Sequence, residues 1–126
     1  GQWIGGAVQW FGEPFLLLQA LGKLLENSLD FTPPGGALRF SAEVSTHGVE
    51  FMLFNDAEPI PEYALPRLSE RFYSLPRPVS GRKSTGLGLN FVEEVMKLHG
   101  GALQIGNVDG GVQVVLHLHT VSTLPT

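Results

Sequence analysis

Apolar residues recur at positions 15, 16, 18, 21, 24, 25 and 29, a period that predicts a helix. Glu13-Pro14 suits its start, because proline tolerates the first turn and an acid favours the positive end of the helix dipole. Thr32-Pro33-Pro34-Gly35-Gly36 stops it. Ahead of the helix, Ala7 to Gly12 (A-V-Q-W-F-G) fits a short strand. Behind it the period changes to two. Residues 37–45 alternate, with Leu38, Phe40, Ala42 and Val44 on one face. Thr46-His47-Gly48 makes a tight connection, and residues 49–54 continue as a second strand of a hairpin. Pro61 to Arg71 predicts a short helix. Residues 74–86 form a loop rich in proline, glycine and cations, and residues 87–99 return to a helical period. Gly100-Gly101 ends that helix. Residues 102–108 and 112–119 form a closing hairpin about Asp109-Gly110-Gly111. The expected architecture is an α/β two-layer sandwich. It has a mixed, largely antiparallel sheet of about five strands, with about three helices on one face.

Composition sharpens this picture. The chain has 126 residues, 43% hydrophobic and 16% charged, which fits one globular domain spanning 1–126. A net charge of −4 gives no general attraction to nucleic acid or an anionic membrane. The chain contains no cysteine, so disulfides and thiolate metal sites are excluded. No apolar run reaches the roughly 20 residues of a membrane span. The N-terminal segment lacks the basic end and long apolar run of a signal peptide. Gly1 is not a natural initiator, which suggests a piece of a longer protein.

Three features suggest chemistry. In K-L-L-E-N-S-L-D-F-T (residues 23–32), Lys23, Asn27 and Asp30 share one stripe of the predicted helix. That stripe is either a solvated face or the floor of a binding site. S-T-G-L-G-L (84–89) is a glycine-rich turn feeding a helix, where backbone amides can meet a phosphate. The plainer reading is a flexible loop with a capping glycine. It matches neither a G-K-[ST] phosphate loop nor a dinucleotide fingerprint. Before it, Arg77, Arg82 and Lys83 form a basic loop. Alone this is a solvated loop; beside Gly86 it suits a mobile lid over phosphates.

The ordered set E-N-S-L-D-F-T-P, N-D-A-E-P-I-P, R-F-Y-S and S-T-G-L-G-L-N-F-V resembles the catalytic, ATP-binding domain of bacterial sensor histidine kinases. Those domains share the Bergerat nucleotide fold with Hsp90, gyrase and MutL. The resemblance runs from about Gly6 to His119 and is strongest to a CreC-type branch. It implies that ATP and Mg2+ are bound. Asn27 matches the N-box asparagine that helps hold Mg2+ on the triphosphate, a role suited to one neutral oxygen ligand. Phe31 matches an aromatic near the adenine, or else packs in the core. Asn55, Ala57, Pro59 and Ile60 fall at the first glycine box. Arg71, Phe72 and Tyr73 match the F box, with Arg71 in reach of phosphate. Arg82 and Lys83 belong to the lid. Thr85, Gly86, Leu87, Gly88 and Leu89 match the second glycine box.

Several positions depart from the pattern. Asn55 stands where an aspartate normally accepts from the adenine amino group. It can still accept, but loses charge assistance of about 1 kcal/mol. Asp56 is an alternative acceptor if the register slips by one, although alternation aims it at the other face. Ala57 and Pro59 replace glycines. Asp30 replaces a cation near the phosphates. Lys23 replaces the glutamate or asparagine expected one turn before Asn27, which argues against an efficient ATPase. Lys23 is expected to contact phosphate, lowering dependence on Mg2+, or to pair with Glu26 or Asn27.

The resemblance implies transfer of the γ-phosphoryl group to a histidine on a separate dimerisation domain of the same protein, then to a response regulator. It implies the cytoplasmic domain of an inner-membrane sensor kinase, homodimeric at full length. His47, His99, His117 and His119 lack the context of a phosphoacceptor and are assigned structural or surface roles. Two other readings stand beside this one: a degenerate interaction module that does not use nucleotide, and an ATPase or chaperone relative.

Overall fold

A computed structural model describes residues 13–70 and 88–119. Helix α1 spans Pro14–Phe31, strand β1 Leu38–Ser45 and strand β2 Gly48–Asp56. Helix α2 spans Gly88–Leu98, followed by β3 (Ala102–Val108) and β4 (Gly111–His119). Glu13 caps α1 as anticipated: its Oε1 accepts from the Phe15 amide at 3.0 Å, and Pro14 takes the first turn. The Gly36 amide donates to the Pro33 carbonyl across a turn in which Gly35 takes φ 79°, a conformation that suits glycine. Gly100 at φ 71° ends α2, with Gly101 N–H donating to Met96 O at 2.7 Å.

The strands form one sheet in the order β1-β2-β4-β3, and every described pairing is antiparallel. The expected strand over residues 7–12 lies outside the described residues. Of the short helix expected over Pro61 to Arg71, the described residues, which end at 70, form one 3-10 turn, Leu65–Arg67. Pro66 explains the difference: it has no N–H to donate, and its ring would clash with the Glu62 carbonyl in an α-helix. Among the described residues there are thus two α-helices and four strands, the two-layer class anticipated.

Both helices lie on one sheet face, α1 on β2 and α2 on β3 and β4, and pack against each other. Ala20 and Leu24 of α1 meet Leu53, Val92, Val95, Met96, Val114, Leu116 and Leu118 in the core. Register carries this face outward to β1, because Phe40 pairs with Leu53 and Val44 with Val49. The helices do not reach so far. Phe40 stays 54% and Val44 47% exposed, and Phe40 stacks on Phe51 with centroids 5.9 Å apart. The outer side of α1 is also open, with Phe15, Leu18, Leu25 and Leu29 exposed.

His99 joins the start of α1 to the end of α2. Its Nε2 accepts from the Glu13 amide at 2.9 Å, and its Nδ1 lies 2.7 Å from the Val95 carbonyl. An amide donor on Nε2 requires that nitrogen to be unprotonated, so the proton sits on Nδ1 and donates to Val95. His117 bridges Gln104 (2.9 Å) and Glu50 (3.2 Å) on the sheet's opposite face. Both histidines are therefore structural in the described molecule.

Two stability predictions follow from these contacts. His99→Ala removes the link between helix ends and should cost about 1 kcal/mol in urea unfolding. Gly22 sits inside α1 with nothing within 4 Å of an added Cβ. Gly22→Ala should therefore raise stability by roughly 0.5–1 kcal/mol, seen as a higher denaturation midpoint.

Candidate functional site

Rotation of α1 is set by its buried stripe, Ala20, Leu24 and Ser28. At 100° per residue, the flank beside that stripe carries Lys23, Asn27 and Asp30. Asn27 and Asp30 are half-buried, whereas Lys23 is exposed. Lys23 lines the rim of a shallow groove on the outer side of α1, with Gln19, Gly22, Leu25, Glu26 and Leu29. Among the described residues no side chain is hydrogen-bonded to the Asn27 carboxamide, and neither Glu26 nor Asn27 pairs with the Lys23 ammonium. Phe31, at the helix end, is half-buried.

Asn55 lies near the end of β2 and is 3% exposed. It pairs with Leu38 on one side and Val112 on the other, so its side chain faces the helices. Gly111 permits this close packing, since a Cβ there would fall 2.1 Å from the Asn55 carbonyl oxygen. Asp56 points to the opposite face. Its Oδ2 accepts from the Ala37 amide at 2.7 Å, and its own N–H donates to Ala37 O at 3.0 Å. Asp56 thus anchors the start of β1, and the register alternative in which it replaces Asn55 is not adopted.

The turn after β2 places Ala57 and Ile60 half-buried and Pro59 exposed. It is held by a residue that the pattern did not single out. Asn107 of β3 accepts from Ile60 N–H at 2.8 Å and donates from Nδ2 to Ile60 O at 2.9 Å. Its sequence signal was its place after Leu103 and Ile105, a polar residue on an apolar alternation. These two bonds fix the turn that carries Ala57 and Pro59.

Gly88 begins α2, and an added Cβ would meet nothing within 4 Å. Packing among the described residues does not demand glycine there. Leu89 packs on the core. Asn90 donates to the Ser69 carbonyl at 3.0 Å, and Ser69 Oγ donates to Glu93 at 2.9 Å, tying the segment after β2 to α2. Arg71, Tyr73, Arg82, Lys83, Thr85, Gly86 and Leu87 lie outside the described residues, as does the whole basic loop.

One layer thus holds a half-buried asparagine on α1, a buried asparagine on β2, a clamped turn and a glycine-led helix. Comparison with known proteins agrees. Residues 12–122 match the family described as histidine kinase-, DNA gyrase B-, and HSP90-like ATPase. Over 108 residues the chain is 52% identical to the sensor protein CreC of Escherichia coli K12, covering 85% of this chain and 23% of that protein. It is 34% identical over 119 residues to the sensor histidine kinase CusS of Escherichia coli O157:H7, covering 93% of this chain and 24% of that protein. The chain thus spans about a quarter of the length of these relatives. Its fold superposes on a mycobacterial sensor histidine kinase, MprB, with TM-score 0.77 and 26% identity, covering 90% of this chain and 78% of that one. The ordered motifs, the fold and the match over residues 12–122 lead to one conclusion: the chain belongs to the histidine kinase-, DNA gyrase B- and HSP90-like ATPase family.

Proposed function

We propose that this chain is the nucleotide-binding half of a sensor kinase. It binds ATP with Mg2+ and presents the γ-phosphoryl group to a histidine on a separate dimerisation domain of the same protein. The phosphoryl group then passes to a response regulator. The parent protein would be a homodimer in the inner membrane, with this domain on the cytoplasmic side. The observation that carries the reading is Asn27: a half-buried carboxamide with no hydrogen-bond partner among the described residues, on a flank that the core forces α1 to present.

An uncommitted half-buried amide has a desolvation cost that a ligand would offset. Asn27 Oδ1 fits a hard cation that takes its other oxygens from phosphates and water. Magnesium bound there would neutralise phosphate charge and fix the orientation of the phosphate chain. The first backbone amides of α2, from Gly88 onward, would donate to phosphate oxygens. Lys23, exposed one turn before Asn27, would supply a flexible point charge, and Arg71, Arg82 and Lys83 are assigned to phosphate from the lid side. Phe31, Asn55, Ala57, Ile60 and Leu89 would line the base end. Asp30 lies beside Asn27 as a carboxylate, which favours a cation between it and phosphate.

No general base is assigned. The chain's part in transfer is positioning and charge stabilisation, and the nucleophile comes from elsewhere. The isolated domain is therefore expected to bind nucleotide yet phosphorylate little.

Asn27→Ala should weaken Mg-ATP binding at least about tenfold in calorimetry, with the circular dichroism spectrum unchanged. If wild type and variant bind equally, Asn27 has no part in the site; if neither binds, the interaction-module reading replaces this one. Lys23→Asn should leave affinity in excess magnesium nearly unchanged and lower it several-fold in chelator, since the ammonium then loses its role as a substitute charge. Equal affinities under both conditions would remove Lys23 from the site.

A further inference from the structure

The turn after β2 is stiff in itself but held to the fold at one point. Residues 57–61 read A-E-P-I-P. Each proline fixes its own φ and keeps the residue before it extended, so Glu58 to Pro61 has little internal freedom. Neither proline has an N–H, which leaves Ile60 as the one amide donor between Glu58 and Glu62. Before the turn, the Asp56 amide donates to Ala37; after it, the Pro61 carbonyl accepts from the Ala64 and Leu65 amides. Between these points, among the described residues, the turn is hydrogen-bonded to the fold through Asn107 alone. Ile60 N–H donates to Oδ1 at 2.8 Å, and Nδ2 donates to Ile60 O at 2.9 Å.

The pair has the form of a strand ladder made by a side chain. A planar carboxamide carries an acceptor and a donor side by side, matching the C=O and N–H of one residue. An aspartate could not donate, and a serine hydroxyl has a single O–H. Register places Asn107 for this work. It pairs with Val112 on the helix side of β3, the last strand in the sheet order, so the clamp draws the turn from the end of β2 past the start of β4 to β3. The prolines set the shape of the turn; Asn107 sets where it stands.

We propose that Asn107 is a positioning residue for the nucleotide, acting through Ile60: it holds the turn in its ligand-binding place in the free chain, so that the turn is ordered on folding rather than at binding. The inference rests on the nucleotide-binding reading above, which puts Ala57 and Ile60 at the base end, and it assigns no contact between Asn107 and the ligand. Preorganisation of this kind raises affinity without a new contact. Without the clamp the turn samples several placements, and apparent affinity falls by the fraction of them that is competent.

Calorimetry with Mg-ATP and amide hydrogen exchange at Ile60, both on the intact chain, test it. In the wild type the Ile60 amide should be protected before nucleotide is added. Asn107 is exposed, so its truncation opens no cavity in the core. Asn107→Ala should speed Ile60 exchange at least about tenfold in the free chain, with protection regained at saturating Mg-ATP, and should weaken Mg-ATP binding roughly three- to tenfold. Asn107→Asp keeps the size and the acceptor but not the donor, and should weaken binding in the same direction by a smaller factor. His117→Ala, on the far face of the sheet, should leave affinity unchanged, which separates positioning from a general loss of stability. An Asn107→Ala chain with a freed Ile60 amide and unaltered affinity makes the clamp purely structural and overturns the inference, while the nucleotide reading stands. So does weakened binding with Ile60 still protected, since the loss then does not pass through the turn, or an equal loss in His117→Ala. No binding of Mg-ATP by the wild type overturns both.

Discussion

Burial of Ala20 and Leu24 against Leu53 and the α2 side chains fixes how α1 is rotated, and the rest of the site depends on that rotation. A helix buries one stripe at a time. With 20, 24 and 28 turned inward, the flank holding 27 and 30 must stand at the edge of the layer, half-buried, while 15, 18, 25 and 29 face outward. Asn27 is therefore presented by packing rather than by a loop. A rotation of one residue would bury Asn27 in an apolar core or carry it into bulk water.

The sheet supplies the second constraint by register. Antiparallel pairing of β2 with β1 and β4 puts Asn55 on the helix side and Asp56 on the other. One position decides between a neutral amide facing the layer and a carboxylate holding the start of β1. A slip would exchange them and bury a charge beneath α1, at a cost of several kcal/mol. Gly111 helps protect that register, because its backbone sits where a side chain would strike the Asn55 carbonyl. Asn107 then ties the following turn to β3, so three strands share in positioning one end of the layer.

Much of this was legible in the sequence because it follows from local periods. The Glu13-Pro14 start, the Thr32 to Gly36 stop and both hairpins depend on neighbours in the chain. The polar stripe of Lys23, Asn27 and Asp30 was visible for the same reason, although its period could not say that Lys23 remains exposed. Less legible were contacts between distant segments. His99 accepts from Glu13 across 86 residues, and no local pattern signals that bond. The short helix expected over 61–71 did not take Pro66 into account, whose missing N–H and ring oppose a continuous α-helix. The alternation in β1 gave its inward face correctly, but could not show that the helices stop short of Phe40 and Val44.

Amide chemical-shift mapping with Mg-ATP tests the central claim most directly, because it asks where a ligand sits as well as whether one binds. The account predicts saturable shifts in the second half of α1, from Lys23 to Phe31, at Asn55 to Ile60 and at the first turn of α2. Glu50, Gln104 and His117 on the far face of the sheet should stay still. Shifts confined to that far face, or none at millimolar nucleotide, would contradict it.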